Sequence, residues 1–146
     1  MAFAGQRAPW HLWAVGVIAT LFNAIGVFDF VMVMARGEDY MASAGMSPGQ
    51  IAYYRAMPGW VTVVWAIGVF AALAGALLIL ARRRAAVGPF VVSLAAFALN
   101  LVHMYLLSDG GRVMGSVMAI TSMVIAGQLA LLAWYARAMT ARGILR

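Results

Sequence analysis

The chain has 146 residues, of which 66% are hydrophobic and 10% charged, with a mean hydropathy of +0.95. A water-soluble domain is roughly 45–50% apolar and about 25% charged, so this composition excludes one and points to a chain that hides its apolar surface in lipid. The net charge of +6 does not indicate nucleic acid, because the arginines that carry it flank apolar runs instead of gathering on one basic face.

Cysteine is absent, which excludes disulfide exchange, thiolate catalysis, cysteine-ligated clusters and covalent haem attachment. Four apolar runs follow one another, at 10–34, 58–81, 87–107 and 113–136. Each is long enough to cross about 30 Å of hydrocarbon at a helical rise of about 1.5 Å per residue. None alternates polar and apolar with period two, so barrel strands are excluded. The first run is too long for the roughly 7–15-residue core of a cleaved leader. Arg36, Glu38 and Asp39 also intervene before the small-residue string Ala42-Ser43-Ala44. It is therefore predicted to be a retained span. The predicted fold is an all-α membrane protein: one transmembrane domain over 1–146, built as an antiparallel four-helix bundle.

The connections are unequal. The turns at 82–86 and 108–112 are short, which makes the helices they join antiparallel neighbours. The first loop, 35–57, is long and has a start signal inside it. Ser47 reads as an N-cap, Pro48 as the first helical residue and Gln50 as the capping-box partner, opening a short helix to about Ala56. Ile51, Tyr54 and Met57 share one side of it, as a lid on the bundle or a passive amphipathic connector. Arg7, Arg82, Arg83, Arg84, Arg137, Arg142 and Arg146 fall on one side of the membrane, and Arg36, Arg55 and Arg112 on the other. This asymmetry predicts cytoplasmic termini in a bacterial inner (plasma) membrane, with the short helix on the periplasmic surface. Small residues recur at close-packing spacing: Gly16, Thr20 and Ala24; Gly68, Ala72, Gly75 and Ala76; Gly115, Ala119, Ser122, Ala126 and Ala130.

Polar residues at membrane depth are costly and therefore informative. Asp29 lies roughly 10 Å beyond the centre of the first span and His103 about 9 Å beyond the centre of the third, both toward the outer side. Asn100 and Trp65 fall in the same slab. Ser93, Ala96, Asn100 and His103 make one helical stripe, and Asn23, Gly26 and Asp29 another. Asp29 and His103 are thus expected to meet across the first and third spans. There an imidazolium would hold the carboxylate charged and itself exchange protons. The candidate pocket residues are Asp29, Asn100, His103, Trp65, Asn23 and Tyr54. A satisfied buried network, or a salt bridge from Asp29 to Arg36, Arg55 or Arg112, explains the same residues without a ligand. His11 and His103 are roughly 20 Å or more apart by helix rise, so they cannot share a haem. No pair of ligands has metal-site spacing, and no nucleophile–base set or phosphate loop is present. No cofactor, no metal and no enzymatic activity are expected.

The strings NAIGVFDF (23–30), PGQIAYYRAMPGWVTVVWAIGV (48–69) and LLILARR (77–83), with Tyr40-Met41 between the first two, resemble a group of small four-helix bacterial inner-membrane proteins often called sugar transporters, themselves loosely DoxX-like. The resemblance covers most of 10–100 and implies a family, with transport in its name but no residue-level mechanism. From the residues, the expected role is a non-catalytic membrane protein that binds a partner or a small lipid-like ligand, as an accessory subunit of a larger membrane complex. The alternative is a small homodimeric proton-coupled transporter using Asp29 and His103. The expected partners are the lipid bilayer and other membrane subunits or further copies of the chain, not nucleic acid. A cysteine placed at Ser47 of this cysteine-free chain is expected to react with a membrane-impermeant maleimide in intact cells exposing their periplasm. Labelling only after lysis would reverse the orientation.

Overall fold

Proline sets the entry of three helices in the computed structural model, which describes residues 7–146. Pro9 and Pro58 stand extended just before α1 (Trp10–Ser43) and α3 (Gly59–Leu80), and Pro48 opens α2 (Pro48–Arg55). A single 3₁₀ turn, Arg84–Ala86, leads into α4 (Val87–Val102), which widens into a π-helical turn at His103–Leu107 before α5 (Gly110–Ala141). The fold is an all-α four-helix membrane bundle. α1, α3, α4 with its flanking turns, and α5 are each long and apolar enough to cross a bilayer, and no strand occurs among the described residues. The capping box at the start of α2 forms as its sequence dictates. Ser47 Oγ accepts from Gln50 N at 3.3 Å and Gln50 Oε1 accepts from Ser47 N at 2.9 Å.

Two glycines interrupt the long helices. Gly37 (φ 53°, ψ −128°) breaks α1 and Gly115 (φ 75°, ψ −170°) breaks α5, both in backbone regions closed to most L side chains. The helix of the first run therefore does not stop at 34, since Ala35 and Arg36 are ordinary helix formers. It turns at Gly37 and resumes to Ser43. Gly115 is likewise a hinge in the backbone rather than a packing contact, and Ala130, in the same small-residue series, is exposed.

α1, α3 and α5 each end in a left-handed residue, at Gly45, Arg82 and Gly143. Each is closed by a six-to-one hydrogen bond: Met46 N to Met41 O at 3.1 Å, Arg83 N to Leu78 O at 2.8 Å, and Ile144 N to Met139 O at 3.0 Å. Arg82 holds this conformation without being glycine because the chain's last residues clamp it. Arg146 N donates to Arg82 O at 2.8 Å, Arg84 N donates to Arg146 O at 3.0 Å, and Ile144 and Leu145 are buried beneath. This end of the bundle, which carries Arg82–Arg84 and Arg142–Arg146, is called the arginine end below, and the opposite one the α2 end.

α1 packs along α3, α3 along α4, and α4 along α5. The dense core lies toward the arginine end, where Leu12 and Ala19 of α1 meet Ala72, Ala76 and Ile79 of α3, Phe90 of α4, and Leu129, Ala133 and Ala136 of α5. Small residues seat large ones there. Gly16 lies against the Leu80 side chain, and Gly75 receives the fully buried Phe90 ring, leaving no room for a Cβ at either glycine. At Gly68 a hydrogen bond adds to the close approach, since the Ser93 hydroxyl donates to Gly68 O at 2.7 Å. Gly75→Ala is expected to cost about 1–3 kcal/mol, because the enclosed Phe90 ring cannot withdraw. Gly127→Ala, with open space at its Cβ, is expected to be neutral or slightly stabilising. Thermal unfolding in detergent compares the two, and equal tolerance would contradict this packing.

Candidate functional site

The α2 end is hollow where the arginine end is filled. A cavity of about 170 Å³ lies at mid-bundle, lined on α1 by Asn23, Gly26 and Asp29, on α3 by Trp65, Gly68 and Ala72, on α4 by Ser93, Phe97 and Asn100, and on α5 by Ile125, Gln128 and Leu129. A second cavity of about 210 Å³ continues toward α2, lined by Tyr53, Tyr54 and Met57 of the lid, by Val61, by Leu101, His103 and Met104, and by Met118, Thr121 and Ser122. Asp29, Trp65, Phe97, Asn100 and Ile125 border both, so the two adjoin at this level, called the waist below, and are treated as lobes of one chamber.

The floor is a carboxamide pair. Asn23 Nδ2 donates to Ala19 O at 2.8 Å and faces Gln128 Oε1 at 3.5 Å, while Gln128 Nε2 donates back to Asn23 Oδ1 at 3.3 Å. This pair and the 2.7 Å contact between His11 Nδ1 and Tyr135 Oη near the arginine end are the side-chain hydrogen bonds that tie α1 to α5. Above the floor no further hydrogen bond joins these two helices among the described residues. Asp29 is exposed although it lines the chamber.

All six sequence-predicted residues border the chamber: Asp29, Asn100 and Trp65 at the waist, Asn23 in the floor, and His103 and Tyr54 in the upper lobe. The structure does not, however, pair Asp29 with His103. α3 stands between α1 and α4, and each group takes a different tyrosine. Tyr40 donates to Asp29 Oδ1 at 2.8 Å. Tyr53 Oη lies 3.4 Å from His103 Nδ1 and 3.0 Å from Ser108 Oγ. Nor does Asp29 pair with an arginine. Arg55 binds Glu38 at 3.0 Å and Arg112 binds Asp109 at 3.3 Å, and Arg36 makes no ion pair among the described residues.

The Tyr40–Asp29 bond depends on the Gly37 turn. Eleven residues of straight helix rise about 16 Å, farther than a tyrosine and an aspartate can span, so the chain must fold back at Gly37 for the hydroxyl to reach. Sequence reading named Tyr40 only between the family-like strings and did not single out Tyr53, whose face of α2 differs from that of Ile51 and Tyr54. Both tyrosines owe their positions to turns that helical periodicity does not encode. The only advance sign was glycine itself, at 37 and, against the Tyr53 ring, at 110.

The lid is fastened by hydrogen bonds and rings. Ser108 Oγ donates to His103 O at 2.8 Å and receives Gly110 N at 3.3 Å, which closes the π-helical turn beneath Tyr53. The Trp60 and His103 rings meet edge-on at 5.5 Å. Tyr54 stacks at a tilt on Trp65 at 5.9 Å, and Phe30 meets Trp65 edge-on at 4.9 Å. Burial, then the nearby Asp29 charge, then Tyr53, push the Tyr54 phenol up to about 12, so it stays a neutral donor. Among the described residues no three acidic or imidazole groups come together as a metal site. Comparison with family models, curated proteins and solved structures finds no match.

The Tyr53–Ser108 bond is expected to appear as a coupling of about 1 kcal/mol in a Tyr53→Phe and Ser108→Ala double-mutant cycle measured by unfolding in detergent. Coupling near zero would mean that this network does not fasten the lid.

Proposed function

We propose that this protein is a non-catalytic membrane protein of the bacterial inner membrane, its arginine end in the cytoplasm, that holds a small lipid-like ligand in the chamber beneath α2. The observation that carries the reading is the waist. Apolar and aromatic walls surround a few polar atoms at Asp29 and Asn100, which is the composition of a small-molecule site. Both lobes are smaller than the roughly 300–1,000 Å³ typical of drug-sized pockets, which favours a slender chain over a fused ring system. Above the Asn23–Gln128 pair no hydrogen bond joins α1 to α5 among the described residues and Asp29 is exposed, which suits entry from the bilayer without a crossing of water. Such a protein suits an accessory role beside other membrane subunits, presenting or sensing the ligand. Proton exchange between Asp29 and His103 finds no comparable support, because each is occupied by its own tyrosine.

The test uses Trp65 as reporter. With Trp10, Trp13, Trp60 and Trp134 changed to Phe and the protein in phosphatidylcholine vesicles, a terminally brominated long-chain alcohol is expected to quench Trp65 saturably. Asn100→Phe, which fills the waist, is expected to abolish the saturable part. Quenching that rises without saturation and ignores Asn100→Phe would overturn the reading.

A further inference from the structure

The chamber's formal charge has one sign. Among the residues lining the two lobes Asp29 is the only formally charged side chain, and no arginine borders either lobe. Of the cations at the α2 end, Arg55 is paired with Glu38 and Arg112 with Asp109, and Arg36, which makes no ion pair among the described residues, borders neither lobe. Tyr40 satisfies Asp29 Oδ1 at 2.8 Å, while Oδ2 takes no hydrogen bond among the described residues. Asn100 repeats the pattern, since its amide N–H donates to Ala96 O at 3.2 Å. Its carbonyl oxygen takes no hydrogen bond among the described residues and is available as an acceptor, beside the amide's second N–H. The floor carboxamides are spent on each other. What the waist offers a ligand is a carboxylate oxygen, the Asn100 carboxamide and aromatic faces at Trp65 and Phe97, with Tyr54 in the adjoining upper lobe.

From this we infer that the ligand is a cationic amphiphile, a single-chain amine or quaternary ammonium. Its head sits at the waist against Asp29 and its chain lies in the apolar lobes. The inference rests on the binding function proposed above and narrows it to one head-group class. A carboxylate attracts an ammonium strongly at a site partly shielded from water. Tryptophan and tyrosine faces add cation–π attraction, which does not need an N–H and so extends to quaternary heads. An anionic head would meet Asp29 with no compensating cation and would be repelled. A neutral alcohol could use Asn100 Oδ1 but would leave the carboxylate without a counter-charge. The position of Asp29 also fits. Asp29 is at the exposed rim, where a head group arriving from the interfacial region would reach it before the chain enters the lobes.

The single-Trp65 protein in zwitterionic phosphatidylcholine vesicles provides the test. The bound brominated alcohol is displaced with non-brominated amphiphiles of equal chain length: an alkyltrimethylammonium, an alcohol and an alkyl sulfate. The ammonium is expected to displace at about one-tenth the concentration of the alcohol, a tenfold preference, with the sulfate weakest. Asp29→Asn keeps the side-chain shape and an oxygen for Tyr40. It is expected to abolish the preference, so that the ammonium and the alcohol displace at equal concentrations. Saturable alcohol binding with no ammonium preference, or a preference that survives Asp29→Asn, would overturn the inference and leave the binding function standing. No saturable displacement by any of the three would remove both.

Discussion

Hydrocarbon offers helices no hydrophobic drive toward one another, so α1, α3 and α4 stay together only where their backbones approach closely enough for dense van der Waals contact. That approach is made at Gly16 under Leu80 and at Gly75 under Phe90. It is extended by Ala72, Ala76 and Ala136, all buried in the same cluster. The contact is confined to the arginine end, where the clamp between Arg146 and Arg82 ties the tail to the α3–α4 turn. Past Ala72 and Gly68, which border the lower lobe, the α3 residues that line the chamber, Trp65 and Val61, are larger. Trp65, Phe97 and Ile125 face one another there without interlocking fully, and the chamber is the space they leave. Its position therefore follows from where glycine and alanine stop along α3.

The α2 end is held by a different device. Because the helices no longer touch closely, polar contacts and chain turns take over. The Gly37 turn carries Tyr40 back to Asp29. The Gly115 break separates a short segment of α5 that holds Met114, which is buried with Met41 of the α1 extension. α2 lies against both α1 and α5. The exposed Arg55–Glu38 pair adds little, since ion pairs in water are worth about 0–1 kcal/mol. The lid is thus held mainly by aromatic and hydroxyl contacts, of which Tyr53 and Tyr54 make the largest share.

The four spans, the antiparallel order and the start of α2 were legible because each rests on local signals: run length, short turns, and the Ser47–Gln50 capping box. Membership of the chamber was legible too, since depth and stripe are consequences of helix rise and periodicity, and these brought Asp29, Asn100, His103 and Trp65 to one level. Partner identity was not. Asp29 and His103 share a level but stand on helices separated by α3, and depth alone carries no angular information between helices. Gly115 shows the same limit from the other side. Its spacing matched a packing stripe, yet its positive φ makes it a hinge, and spacing cannot distinguish the two uses of glycine.

If the account is right, one half of the bundle has no spare volume and the other has a chamber, and adding bulk to each half measures this directly. Ala76→Leu places a large side chain in the filled half and Ser122→Leu places one in the upper lobe. Unfolding in detergent is expected to show Ala76→Leu destabilised by about 1–3 kcal/mol or more, with Ser122→Leu unchanged or stabilised. Equal destabilisation of both would contradict a chamber that forms where small-residue packing ends.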